Sequence, residues 1–311
     1  MDYRRLGDSG LKVSEIGLGC NNFGMRIDQA ATGAVIDAAI EHGVTFFDTA
    51  DVYGGAGKSE EMIGLALKGK RHQVVLATKF AMQMGGPDKQ GGSRRYIVEA
   101  VEASLTRLQT DYIDLYQMHR PDPDTPIEET LSALDDLVTQ GKVRYVGNSN
   151  YAGWQIADAE WTSRTEHLNR FVSAQNNYSL LERRVEHEVS PACERFGLGL
   201  LPFFPLASGL LTGKYKRGEA PPEGTRLAAW GPRGAAALND KNFDKLEALS
   251  GWAEERGHDM LDLAFAWLLG HPVVSSVIAG ATKPEQVAAN AATAAWKLTP
   301  AEVEEVTKLA A

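Results

Sequence analysis

The chain has 311 residues, 43% hydrophobic and 23% charged, which is enough apolar material for a sizeable core and excludes a disordered or fibrous protein. Its 41 acidic residues outnumber 32 basic ones, a formal charge of -9 that attracts neither a phosphate backbone nor an anionic lipid surface. Nucleic acid and membrane are therefore not expected as partners; no apolar run reaches the ~18 residues of a spanning helix and MDYRRLGDSGLK lacks a signal core, so a cytoplasmic protein is expected.

In chain order, YRRLGDSGLKVS reads as two short strands around an Asp-Ser-Gly turn, a hairpin ahead of the main fold. EIGLGC is the first apolar strand and ends at Cys20. A helical run over about residues 28–42 follows, stopped by Gly43. The alternation continues with VTFF and SEEMIGLAL, QVVLATK and SRRYIVEAVEASLTRL, YIDLYQM and PIEETLSALDDLVTQG, and VRYVGNS and YAGWQIADAEW. Each strand is short and apolar, and each helix has apolar positions spaced by three and four. The second half adds RFVSAQNN, a helix around residues 184–195, LGLLPFFPL, two helices between about residues 240 and 269, and VVSSVIAGA before PEQVAANAATAA. Thr299 is an N-cap, with proline at the first helical position, for a last helix over residues 300–311.

Eight strand-helix units predict an α/β chain folded as a (β/α)8 TIM barrel, one domain over residues 1–311, with an N-terminal β-hairpin and a C-terminal helix. The longest irregular stretch, residues 207–239, contains GEAPPEGTRLAAWGPRG and suits a flap over a ligand. Cys20 and Cys193 are read as reduced thiols, with Cys193 buried in a helix, and their spacing suggests no metal site.

A parallel barrel points all its strand C-termini at one face, so residues far apart in sequence converge there. Asp48, Tyr53, Lys79 and His119 each end or closely follow a strand. Taken singly, each has an ordinary explanation as a cap, a packed ring or a solvated strand end. Together, a phenol near a lysine with a carboxylate and an imidazole is a proton-donating set, because the ammonium lowers a phenol pKa that starts near ~10. GGAGKS mimics a phosphate loop, but Val52 stands where the first glycine of that motif belongs. His119 is a poor zinc ligand by itself, and no metal is expected.

The stretch GVTFFDTADVYGGAGKSEEMIG, residues 43–64, resembles the signature of the aldo-keto reductases, whose catalytic tetrad is Asp, Tyr, Lys and His in this order. The resemblance runs from the hairpin to the last helix and implies NADP(H)-dependent reduction of an aldehyde or ketone. Tyr53 is then the general acid, Lys79 lowers its pKa, Asp48 fixes Lys79 and His119 orients the carbonyl. Glu60 matches an acidic position of structural character. GNSN, residues 147–150, resembles the family's G-V-S-N, so Ser149 and Asn150, with Gln175, are expected to hold the nicotinamide carboxamide. Asn148 replaces a valine there, and its side chain should point away. Phe203 falls where an aromatic stacks on the nicotinamide ring, and Phe204 replaces a common serine.

Leu206, Ser208, Gly209, Leu211 and Lys214 correspond to the pyrophosphate loop, with backbone donors and one ammonium facing the anion. GATKPEQVAAN matches the adenosine-phosphate site at Gly280, Thr282, Lys283, Gln286 and Asn290, where Gln286 replaces an arginine. Lys283 still supplies charge, so NADP(H) is favoured and NAD(H) is the second candidate. The expected partner is a small-molecule carbonyl substrate, met near Phe23, Tyr53, residues 81–92 and Trp230, and a homo-oligomer is left open. Two rivals are a non-catalytic or weakly catalytic nicotinamide-nucleotide sensor of the same fold and a barrel hydrolase or isomerase without nicotinamide.

Overall fold

The computed structural model describes the backbone of residues 1–311 and every side chain except that of Arg233. Its first element is a hairpin, β1 (Tyr3–Arg5) paired antiparallel with β2 (Lys12–Ser14). Eight barrel strands follow: β3 (Ile16–Gly19), β4 (Phe46–Asp48), β5 (Val75–Phe80), β6 (Ile113–Met118), β7 (Val143–Ser149), β8 (Phe171–Asn177), β9 (Gly199–Phe203) and β10 (Val277–Gly280). All neighbours are parallel, in the order β10-β3-β4-β5-β6-β7-β8-β9. A bridge between Leu200 and Val274, with Ser275 N–H donating to the Leu200 carbonyl at 3.0 Å, joins the two ends. The expected (β/α)8 architecture is therefore present.

Helices wrap the barrel: α1 (Gln29–Glu41), a short α2 (Tyr53–Ala56), α3 (Lys58–Ala66), α4 (Arg94–Leu108), α5 (Ile127–Thr139) and α6 (Gly153–Thr165). After β8 the expected helix is split into a 3-10 turn, Arg184–Glu186, and α7 (Val189–Phe196). Pro191 explains the split, because a residue without an N–H fits only the first turn and fixes where α7 begins. The 207–239 stretch is more regular than expected, holding a 3-10 segment, Ala207–Thr212, and short helices α8 (Arg226–Ala229) and α9 (Pro232–Ala236). Then come α10 (Asp240–Glu254), α11 (Met260–Leu269), α12 (Pro284–Ala292) and α13 (Pro300–Leu309). Thr299 caps α13 in a reciprocal box with Glu302, as the Thr-Pro start predicted.

Inside the barrel the two-residue period of each strand positions the site. Phe46, Ala77, Leu115, Leu201 and Ile278 form one apolar layer, plugged from below by Leu6 and Val13 of the hairpin. Two residues further along the same inward faces stand Asp48, Lys79, Gln117, Phe203 and Gly280. A closed floor thus lies under a polar layer at the strand C-termini. The remaining apolar side chains, including Cys193 and Phe23, fill the belt between strands and helices.

Candidate active site

The polar layer is built around a buried ion pair. Lys79 is fully buried, and its Nζ donates to Asp48 Oδ2 at 2.7 Å and to the Thr49 carbonyl at 2.8 Å. Asp48 Oδ1 accepts from Gln175 Nε2 at 2.8 Å and from Gln117 Nε2 at 3.2 Å. A buried carboxylate needs such a full set of donors. Tyr53 and His119 sit above this pair: the Lys79 ammonium lies 5.1 Å from the Tyr53 ring centre, and the two rings meet edge to face at 5.6 Å. The four residues separated by 71 positions of sequence therefore share one pocket, with Asp48, Tyr53 and His119 on its wall and Lys79 beneath.

Electrostatics divides their roles. Burial presses Lys79 toward neutrality, but Asp48 and Tyr53 outweigh it and hold the lysine above its ordinary value, so it is an ammonium. Burial also raises Tyr53; Lys79 pulls it down and Asp48 pushes it up. Lys79 acts on the phenol in the expected direction, but desolvation outweighs it and Tyr53 stays above its ordinary value. His119 is lowered to about 3 by burial, then by Lys79 and Arg120, so its imidazole is neutral. Its Nδ1 is buried without a hydrogen-bond partner among the described residues.

The cavity above has a volume of about 740 Å³, within the ~300–1,000 Å³ of small-molecule sites. Ser149, Asn150, Gln175, Phe203, Leu206, Ser208, Gly209, Lys214, Gly280, Thr282, Gln286 and Asn290 all line it, far apart in sequence as they are. Ser149 Oγ donates to the Gln175 carbonyl at 2.8 Å, and Asn150 Nδ2 donates to the His119 carbonyl at 3.0 Å. Asn148 turns away, as the strand alternation required, and donates to the Ser173 carbonyl at 3.2 Å.

Some of the expected residues lie off this wall. Leu211 is fully buried in the apolar belt and not on the cavity wall. Lys283 is exposed at the N-cap of α12, outside the wall. Phe23 is fully buried packing, and residues 81–92 do not reach the wall either. In the Ala207–Thr212 turn the expected backbone donors are partly used internally: the N–H groups of Ala207, Gly209 and Leu211 bond the Phe204 and Leu206 carbonyls. At α12, Thr282 N–H and Oγ1 both donate to Gln286 Oε1, at 2.7 and 3.1 Å, which occupies part of the helix N-terminus.

Sequence reasoning missed Gln117, Arg26, Arg226 and the pair Asn21 and Asn22. Gln117 was detectable as the residue two before His119 on the same strand face. Arg26 and Arg226 line the cavity from the β3–α1 loop and from α8. Neither guanidinium has an ion pair among the described residues, and Arg226 lies 5.2 Å over the Phe204 ring. Burial and then Arg26 hold Arg226 below its ordinary value. Two unpaired cations on one wall suit an anion. No sequence motif marks them.

The sequence has counterparts among known proteins. The Aldo/keto reductase family model matches residues 15–311. The chain belongs to the aldo/keto reductase family. It is similar to an uncharacterized oxidoreductase, YrpG, of Bacillus subtilis (strain 168), 41% identical over 298 residues that cover 92% of this chain and 89% of the relative. It is 39% identical over 297 residues to a probable voltage-gated potassium channel subunit beta of Oryza sativa subsp. japonica, covering 93% and 90%. A versiconal hemiacetal acetate reductase of Aspergillus parasiticus is 35% identical over 336 residues, covering 98% and 95%. Family and relatives together support an oxidoreductase of the carbonyl-reducing kind.

Proposed function

We propose that the protein reduces an aldehyde or ketone to an alcohol with a nicotinamide dinucleotide, NADP(H) in preference to NAD(H). The observation that carries this reading is the buried Asp48–Lys79 pair directly under Tyr53 and His119, at a cavity whose wall also carries Arg26, Lys214 and Arg226. The residues present fit the cofactor: Ser149, Asn150 and Gln175 offer amide and hydroxyl partners for a carboxamide, Phe203 offers a flat face, and Lys214, Arg26 and Arg226 offer charge to phosphates. A bound nicotinamide supplies the hydride that the carbonyl carbon receives.

The remaining chemistry belongs to the chain. Tyr53, protonated at neutral pH, holds the carbonyl oxygen and gives it the phenolic proton as negative charge develops there. Lys79 stabilises the tyrosinate left behind, which regains its proton from solvent. Neutral His119 donates a hydrogen bond that orients the carbonyl without competing as an acid. Asp48 and its two glutamine donors keep Lys79 in place. Lys283 and Arg226 are the cations nearest in kind to what a 2′-phosphate requires, and Gln286 contributes no charge.

A second reading, a nicotinamide-nucleotide sensor, draws on the rice relative named a potassium channel subunit and on one of Arabidopsis thaliana, 38% identical. A panel of aldehydes and ketones, assayed by NADPH consumption with NADH in parallel, separates the two. Stoichiometric alcohol with NADPH supports the reductase. Tight NADPH binding with no turnover across the panel supports the sensor, and failure to bind either nucleotide removes both.

A further inference from the structure

The two glutamines that hold Asp48 are not equivalent. Both amides donate to the same atom, Asp48 Oδ1, from Gln175 Nε2 at 2.8 Å and from Gln117 Nε2 at 3.2 Å, so both lone pairs of that oxygen are taken while Oδ2 faces Lys79. Gln175 lines the cavity, where its amide is also a partner on offer to a nicotinamide carboxamide. Gln117 does not line the cavity. It is fully buried in the polar layer, and it is the register partner of Lys79 across β5 and β6.

The Gln117 side chain makes one hydrogen bond among the described residues, the one to Asp48. Its Oε1 is buried without a partner among them, a desolvation penalty that an apolar side chain of similar length would avoid. On the other side its register partner is Gly147 of β7, where a Cβ would lie 3.3 Å from Gln117 Cγ and 2.3 Å from Ser173 Oγ. The row Gln117, Gly147, Ser173 therefore packs with no side chain in its middle. A buried amide with one end unpaired calls for an explanation in terms of what its other end does. Here that end holds a carboxylate from a direction the cavity does not reach.

We propose that Gln117 is a positioning residue that keeps Asp48 aimed at Lys79 when Gln175 is drawn to the carboxamide of the cofactor. The inference rests on the nicotinamide-dependent reduction proposed above. In the free protein the two amides back each other up, and either one can hold Asp48 Oδ1. With the dinucleotide bound, Gln175 is shared with the carboxamide, and Gln117 is the donor that burial keeps on Asp48 alone. Grip on the cofactor and support of the proton donor are thereby divided between two glutamines. The ammonium stays under the Tyr53 ring in both states, as proton donation requires.

The test compares Gln117→Leu and Gln175→Leu in NADPH-dependent reduction of 4-nitrobenzaldehyde, with NADPH affinity read by fluorescence titration. Gln117→Leu should lower kcat at least about tenfold, leave NADPH affinity within about twofold and keep the thermal transition of wild type. Gln175→Leu should do the reverse, weakening NADPH about tenfold with kcat within about threefold. Gln117→Glu separates positioning from packing: protonated, it donates to Asp48 as the amide does, and ionised, it repels that carboxylate. Its kcat should approach the wild-type value toward about pH 5.5 and fall toward about pH 9, a limb that wild type does not show. A readout without turnover is the ammonium of Lys79, the one buried lysine among the described residues, whose 15Nζ signal is shielded from solvent exchange by its bonds to Asp48 and Thr49. In the free protein that signal should survive in either single variant and vanish in the double variant; with NADPH bound it should vanish in Gln117→Leu as well. Wild-type kcat in Gln117→Leu, or a Lys79 signal that survives the double variant, overturns the proposal. Should wild type reduce no carbonyl, the reductase reading fails, and the Lys79 signal still decides whether Gln117 holds the pair.

Discussion

Tyr53 and His119 meet edge to face over Lys79, yet the electrostatics asks different things of them. A phenol that supplies a proton in the transition state and little ground-state binding should be replaceable without loss of cofactor affinity. Tyr53→Phe is therefore expected to lower kcat/KM about 10²–10⁴-fold and to leave NADPH affinity within about twofold, read by steady-state rates and fluorescence titration. Near-normal turnover would remove Tyr53 from the mechanism. Lys79 is a different case, because its removal leaves the Asp48 carboxyl buried and held only by amides. Breaking a buried pair from one side costs roughly 3–5 kcal/mol, so Lys79→Met should lose both stability in urea and activity. His119 is depressed to about 3, against about 6.5 when unfolded. The unfolded chain then binds a proton that the folded chain refuses, so stability is lost as pH falls from about 6.5 toward about 3. His119→Gln should flatten that acid limb; an unchanged limb would place the titration on another group.

At the scale of elements, the eight strands were legible from their apolar runs and the places of Asp48 and Lys79 from a two-residue period, whereas Tyr53, which opens α2, was singled out by the resemblance of residues 43–64. Apolar runs mark the strands, and the inward residues at their ends sit two positions above an apolar layer, which is how Phe46 leads to Asp48 and Ala77 to Lys79. Gln117 followed the same rule and was passed over because glutamine carries no titratable signal. Arg26 and Arg226 were invisible for a physical reason: their meaning lies in facing one cavity, from the β3–α1 loop and from α8, without an ion pair, and such convergence has no sequence period. The Ala207–Thr212 turn shows the same limit. Its role was read as backbone donation, while several of its N–H groups close the turn on itself. That closure needs left-handed residues in succession: Ala207 at φ 45°, Ser208 at 60° and Gly209 at 97°. Gly209 is the one least replaceable, since a Cβ there would also lie 2.8 Å from Lys214 Nζ. A side chain forced into this region costs about 1–2 kcal/mol. Gly209→Val should weaken NADPH binding about tenfold while the thermal transition remains cooperative, and unchanged affinity would show that the turn does not touch the cofactor.

At the scale of the whole molecule, the net charge of -9 opposes any polyanionic ligand, whereas Lys214, Arg26 and Arg226 bring a local patch of cations to the cavity wall, beside Glu223 and Asp259. The two effects act over different distances. Screening at physiological ionic strength cuts off the field beyond about 8 Å, so the distant acidic surface is muted before the patch is. An incoming NADPH should therefore associate more slowly as salt is raised, because its phosphates are drawn by the patch at close range. With Arg26→Gln and Arg226→Gln combined, the patch keeps one cation, and the repulsion of the whole molecule governs the approach. Stopped-flow association rates across about 0.02–0.5 M salt should then lose their decline or rise with salt, while the wild-type rate falls several-fold. A double variant that retains the full wild-type salt dependence would show that the two arginines do not steer the cofactor, and the attraction would have to come from Lys214 and Lys283.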